Sequence, residues 1–277
     1  MPIFTVTNPN KPNKIRLVWD AAAKVKGTSL NSMLLKGPDL TSPLLSVLHG
    51  FRMHEIAICG DIKEMFHQVK IQKTDQDAQR FLWRNGDSSK DPDVYVMKVM
   101  TFGAACSPCS AQFVKNKNAE SFQASYPRAV ESILKHHYVD DLLDCAETVE
   151  DAIKLARDVS MIHKEGGFFI RNFKSNSPEV LQNLQDIEEN PPELNNQSIE
   201  LVTEKVLGMW WITETDEFTF SLKLSRLNKD ILSGKKRPTK MDVLRTLMSI
   251  FDPFGFISPF VIHLKIILQE VWRTTNG

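Results

Sequence analysis

Residues 136–145, HHYVDDLLDC, set two adjacent carboxylates, Asp140 and Asp141, between short arms of Tyr, Val and Leu. Strand-like apolar segments avoid charge. Adjacent acids repel each other, and they desolvate at a cost unless a cation or a donor compensates. The apolar–acidic–apolar pattern reads as a hairpin. Its acidic tip is either a surface turn, where Asp bonds its own backbone, or a cation site. A third acid, Asp61, closes the buried-looking strand HEIAICGDI (54–62). If that strand and the hairpin are neighbours in one sheet, the acids converge. Three oxygen-rich ligands suit hard divalent cations such as magnesium or manganese. Two such ions can clamp the attacking and leaving oxygens of a phosphoryl transfer.

Outward from this stretch, strands and helices are mixed. KIRLVWDA (14–21), AQRFLWR (78–84), DVYVMKVMTF (93–102) and FFIRNF (168–173) read as strands. In 38–51, Asp39 and Thr41 are candidate caps ahead of a short helix. A helix follows Ser107-Pro108. The clearest helix starts at Thr148, with Asp151 as capping-box partner, and ends at Gly166-Gly167. The first fifteen residues, rich in Pro, Asn and Lys, are expected to be extended or loose. The polar stretch 175–197 is expected to be a loop with little core. VLGMWWI and FTFSLKL (206–212 and 218–224) read as a hairpin, and the chain beyond is helical with a basic break at 233–240. This order predicts an α+β fold with antiparallel pairing, not regular βα alternation.

The chain has 277 residues, 42% of them hydrophobic, enough for a sizeable core. Its 34 basic and 34 acidic residues cancel, so nucleic-acid binding has to rest on local patches such as KPNKIR (11–16), KNK (115–117) and SGKKRPTK (233–240). Cys106 and Cys109 form a lone CxxC, weak evidence for zinc; reduced thiols are the plainer reading of the four cysteines. No secretory signal is visible, and FVIHLKIILQEVW (260–272) reads as an amphipathic helix, so no membrane partner is expected.

YVDD resembles the double-aspartate hairpin of reverse transcriptases. AICGDIKEMFHQV (57–69) resembles the strand bearing their first catalytic aspartate, and VMTFGAACSP (99–108) the segment under the incoming nucleotide. RLVWDAAAK, SLNSMLLKGPDL, FLWR, GGFFIRNFKSN, LGMWW and IFDPFGFISPF extend the likeness along nearly the whole chain. As an ordered set these segments resemble the reverse transcriptase of BEL/Pao-class long-terminal-repeat retrotransposons.

The resemblance implies an RNA-directed DNA polymerase. It would add deoxynucleotides to the primer 3′-hydroxyl of an RNA or DNA template–primer. Asp61, Asp140 and Asp141, with Ile62, would hold two magnesium ions, for which manganese can substitute. The Ile62 N–H would face the triphosphate. Phe66, five residues after Asp61, takes the place of the steric gate against a 2′-hydroxyl; by spacing alone it is a core Phe. Arg16 corresponds to the fingers arginine, suited to phosphate by its planar fork. Phe102 and Gly103 stand where retroviral enzymes carry Gln-Gly, and Lys174 fits a lysine that protonates pyrophosphate. Met209, Trp210 and Trp211 resemble the primer grip.

The implied architecture is a right-hand polymerase. Residues 1–222 are partial fingers and palm, with fingers mainly in 1–54 and 68–100, and 223–277 begin the thumb or connection. Strands expected before KIRLVWD are not read here, and neither are the protease, RNase H and integrase regions of the full polyprotein. The family implies cytoplasmic particles. The competing readings are a truncated, non-catalytic remnant that binds nucleic acid or a partner, and a template-independent phosphohydrolase. The lack of βα alternation disfavours the latter.

Overall fold

The computed structural model describes residues 1–8, 11–187, 203–220 and 229–273. It comprises two compact units: Met1–Ser175 with Glu179–Glu193, and Asn176–Pro178 with Leu194–Gly277.

The first unit opens with the antiparallel hairpin β1 (Ile3–Asn8) and β2 (Lys11–Trp19). The sequence reading placed no strand before residue 14, because the Pro and Asn of NPNKPN hide the pairing partner Ile-Phe-Thr-Val-Thr. The short helices α1 (Leu30–Met33) and α2 (Leu44–Gly50) follow. Pro43, and not Asp39 or Thr41, occupies the N-cap of α2. Asp39 instead accepts the Thr41 N–H in a local Asx turn upstream.

Strand β3 (Ile56–Ile62) leads through a turn of 3-10 helix, Met65–Gln68, to the hairpin β4 (Arg80–Trp83) and β5 (Asp93–Val96). Then come α3 (Ser107–Glu120), α4 (Pro127–Lys135), β6 (His137–Tyr138), β7 (Asp141–Ala146), α5 (Val149–Glu165) and β8 (Ile170–Ser175). Thr148 caps α5 by accepting the Asp151 N–H, and Gly166 closes it. Helix α6 (Pro178–Leu184) falls where a coreless loop was expected. Val180 and Leu184, one turn apart, are buried in the main core, an i, i+4 signal masked by the polar residues between them.

The palm-like sheet is antiparallel, in the order β6-β7-β3-β8. Helix α5 packs against β3 and β7, and α2 packs against β7 and β6. The covered β7 is therefore buried continuously from Leu142 to Ala146. Asp144 lies inside that run because Arg128 of α4 clamps it with two hydrogen bonds of 2.9 and 2.8 Å. A fully buried carboxylate stays ionised only with such a partner, so this pair locks α4 to the strand that follows the acidic tip.

The other buried charge cluster lies beneath β6. Lys115 lies on the i, i+4 stripe Ala111–Lys115–Ala119 of α3 and is 2% exposed. Its Nζ donates to the Ile133 carbonyl at 3.0 Å. Of the basic stretch KNK, Lys115 offers nothing to a phosphate, because its stripe faces the core; Lys117 is exposed and paired with Glu120. His137 Nδ1 lies 3.1 Å from the Ser132 carbonyl, so it carries the hydrogen. His137 Nε2 must then accept from His163 Nε2, 3.1 Å away. That tautomer leaves His163 Nδ1 as a buried acceptor without a partner. Burial, followed by the Lys115 charge, pushes both imidazole pKa values well below the usual range.

The second unit holds the antiparallel sheet β9 (Thr203–Val206), β10 (Met209–Ile212) and β11 (Glu217–Thr219), in the order β11-β10-β9. Its helices are α7 (Lys229–Leu232), α8 (Lys240–Met248) and α9 (Ser258–Arg273). Among the described residues no helix is long and apolar enough to cross a membrane. None of the four cysteines is in a disulfide.

Burial pushes the Lys115 pKa down to about 7. The unfolded chain, with lysine near its ordinary value, holds this proton up to about pH 10. Between these pH values the unfolded state binds more protons, so stability rises with pH. Lys115→Met should raise the melting temperature at pH 7 and flatten its rise toward pH 10. Parallel wild-type and variant melting profiles would contradict this.

Candidate active site

The turn Val139-Asp140 joins β6 to β7, with Tyr138 and Asp141 paired across it. Val139 has φ 59. A positive φ at the first central residue is the type II′ pattern, a position that glycine usually takes. A β-branched residue there is strained and needs outside support. The support comes from β3: the Ile62 N–H donates to the Asp140 carbonyl at 2.8 Å. The same ladder sets Asp61 opposite Asp141. Three carboxylates therefore meet at one end of two adjacent strands, as their order in the sequence suggested.

They are electrostatically coupled. Burial, then the charges of Asp140 and Asp61, push Asp141 up to about 7. Burial also raises Asp140, with Asp61 adding to it and Arg171 opposing. A site that resists its own ionisation, and offers only hard oxygen donors, fits divalent cations. Among the described residues, no three His, Cys, Asp or Glu side chains are gathered tightly enough to surround one ion. Asp61 is turned instead toward β8. Its Oδ2 accepts from Arg171 Nε at 3.1 Å, and its Oδ1 accepts from the Asn172 amide.

That contact is built by a β-bulge. Asp61 pairs with Arg171 and Cys59 with Lys174, so Asn172 and Phe173 together oppose Gly60. Asn172 takes the left-handed conformation, φ 56, which Asn tolerates better than most residues. Gly60 is required by the close approach: a Cβ there would lie 2.9 Å from Ile170 Cγ2. The sequence reading missed Arg171 and Asn172 as site residues. Their signal is a charged residue and an Asn side by side inside the strand FFIRNF.

The proposed nucleotide-facing residues partly converge. Phe66 packs on the core, and its ring meets Phe102 edge-on at 4.9 Å. Phe102 is 42% exposed and also meets His67 at 5.1 Å, while His67 meets Trp19 at 5.7 Å. Asn31 pins the turn after Phe102, donating to the Gly103 carbonyl at 2.9 Å and accepting the Ala105 N–H at 2.8 Å. Trp19, Asn31 and His67 were not singled out from sequence, since nothing local marks them. Arg16 sits opposite Val6 in the β1–β2 register, and its side chain lies outside the described residues. Lys174 lies opposite Cys59, further along β3 from Asp61. The Ile62 N–H, expected to face a triphosphate, is engaged with Asp140.

Met209, Trp210 and Trp211 lie in the second unit, on β10. Met209 and Trp211 are buried, with Trp211 Nε1 donating to Asp216 at 2.8 Å. Alternation puts Trp210, half-buried, on the other face.

Residues 11–186 match the family described as reverse transcriptase (RNA-dependent DNA polymerase), and the chain belongs to that family. Residues 239–277 match the Pao retrotransposon-like RNaseH-like domain, a region the sequence reading took as thumb or connection with no RNase H in view. The two matches together mark a BEL/Pao retrotransposon polyprotein. No curated protein matches the chain. Among the solved structures that share its fold are two of foamy viral protease-reverse transcriptase. The foamy viral protease-reverse transcriptase dRH in complex with double-stranded DNA matches at TM-score 0.61 and 17% identity, over 100% of this chain and 39% of that one. The foamy viral protease-reverse transcriptase in complex with an RNA/DNA hybrid matches at TM-score 0.56 and 17% identity, over 100% and 30%. The chain thus spans well under half the length of either.

Gly103 has φ 100, and a Cβ there would lie 2.5 Å from the Trp19 carbonyl oxygen. Gly103→Ala therefore combines a forbidden conformation with a backbone clash, and should destabilise the first unit by at least about 1–2 kcal/mol. Urea unfolding of the variant checks this; an unchanged midpoint would show that the turn shifts freely.

Proposed function

We propose that this chain carries the polymerase site of an RNA-directed DNA polymerase, with residues 1–222 as fingers and palm and 223–277 as a thumb or connection start that runs into the stretch 239–277 matching the RNaseH-like domain. The observation that carries the reading is the ladder that sets Asp61 opposite Asp141 while the Asp140 carbonyl takes the Ile62 N–H. Reverse transcriptases in general use divalent metal ions. Asp61, Asp140 and Asp141 would hold two magnesium ions, with the Ile62 backbone beside them. Bound there, the ions supply charge that acidifies a primer hydroxyl and neutralises a triphosphate.

The chain's own residues bind and orient. Phe66, backed by Phe102, places an aromatic ring where a sugar would rest, and so selects against a 2′-hydroxyl. Gly103, held by Asn31, lets the backbone approach the nucleotide. Arg16 and Lys174 would contact phosphates, and the β9–β10 hairpin would brace the primer. The natural partners would be RNA or DNA template–primer, deoxynucleoside triphosphates and the remaining protease, RNase H and integrase regions of a polyprotein, within cytoplasmic particles.

Primer extension on a homopolymeric RNA template, with magnesium or manganese, tests the reading. Asp140→Asn should abolish incorporation while the protein stays folded, and full activity in that variant would refute it. Phe66→Val should admit ribonucleotides at least about tenfold better relative to deoxynucleotides, since removing a steric clash worth about 1.4 kcal/mol changes selectivity tenfold. Unchanged sugar selectivity would return Phe66 to a purely core role.

A further inference from the structure

Two of the Arg–Asp pairs in the first unit are of opposite character. Arg128–Asp144 is bidentate, and its carboxylate side chain is only 1% exposed. Breaking it would strand a buried charge. Arg171–Asp61 has side chains 37% and 27% exposed, and only Arg171 Nε engages Asp61. A half-solvated pair of that kind exchanges partners at little cost. Asn172 supports it from a left-handed backbone position in mid-strand, a place that strands avoid unless a bulge re-aims a side chain. The Asn172 amide reaches the other Asp61 oxygen. The bulge thus brings two donors onto one carboxylate that the proposed function assigns to metal.

We propose that Arg171 and Asn172 are positioning residues whose hold on Asp61 a divalent ion must displace, so that the β8 bulge sets the ion concentration at which the site assembles. This rests on the metal-binding reading of Asp61. An ion on Oδ2, at about 2.1 Å, would lie no more than about 5 Å from Arg171 Nε, given the 3.1 Å hydrogen bond. Like charges at that distance repel, so the guanidinium has to swing away as the ion enters. Its partial exposure lets it do so into water. Asn172 repels no ion, but its amide hydrogen must be given up or shared. The two residues therefore raise the ion threshold unequally, the Arg more than the Asn.

The test is manganese binding to the full chain, followed by the electron paramagnetic resonance signal of the unbound ion, with no nucleotide or primer present. Arg171→Gln should tighten binding about two- to fivefold, the upper part of the range expected for a part-exposed charge pair. Arg171→Lys, which keeps the charge, should return toward wild type. Asn172→Gly, which suits the positive φ, should tighten binding by a smaller factor. A purely structural role for Arg171 would weaken binding or leave it alone, and either result in a folded Arg171→Gln protein overturns the proposal. Should that variant fail to fold, Asn172→Gly decides by the same direction of change. Asp61→Asn and Asp140→Asn separate the two levels. If they bind manganese as wild type does, the metal reading itself fails and takes this proposal with it. If they lose manganese while Arg171→Gln is unchanged, only the role of the bulge fails.

Discussion

The antiparallel pairing of β3 with β7 is the constraint on which the rest of the first unit depends. It carries Asp61 to the level of Asp141, and its last backbone hydrogen bond, Ile62 N–H to Asp140 C=O, holds a strained turn at Val139. Without that bond a β-branched residue would not keep a positive φ, and the two tip carboxylates would have no fixed relation to the third. The α2 and α5 helices that pack on β7 and the Arg128–Asp144 clamp serve this ladder by making β7 immovable.

Charge in this unit is managed in three distinct ways. Asp144 is buried and permanently paired. Lys115, His137 and His163 are buried, and the apolar surroundings disfavour their charged forms and push all three pKa values downward. The tip carboxylates are only partly buried; burial first, and then neighbouring carboxylate charge, raises Asp140 and Asp141. The third arrangement leaves an unmet electrostatic demand at one end of β3 and β7. A demand of this kind marks functional sites, since structural charges elsewhere in the same fold are already compensated.

Much was legible from sequence. The alternation and turn signals named β3, β7, β8 and the hairpin β4–β5, the capping pattern at Thr148 named α5, and the acids were singled out by sitting in apolar arms. What was lost was lost for identifiable reasons. The Pro and Asn residues around the first turn disguised β1, because turn residues outnumber strand residues there. Helix α6 was missed because only Val180 and Leu184 are fully buried in it, between polar neighbours. KNK read as a basic patch because the direction of a side chain on a helix depends on which stripe faces inward.

The sequence by itself determined the class of fold, the three candidate acids and the family motifs, because these depend on local pattern and on residue chemistry. Tertiary structure alone decided which charges are spent on stability and which stay available. It placed Lys115 inside, turned Trp211 into a core residue bonded to Asp216, and set Arg171 and Asn172 on Asp61. Those outcomes follow from register, and a register shift of one residue in β8 is the bulge that local sequence patterns do not specify.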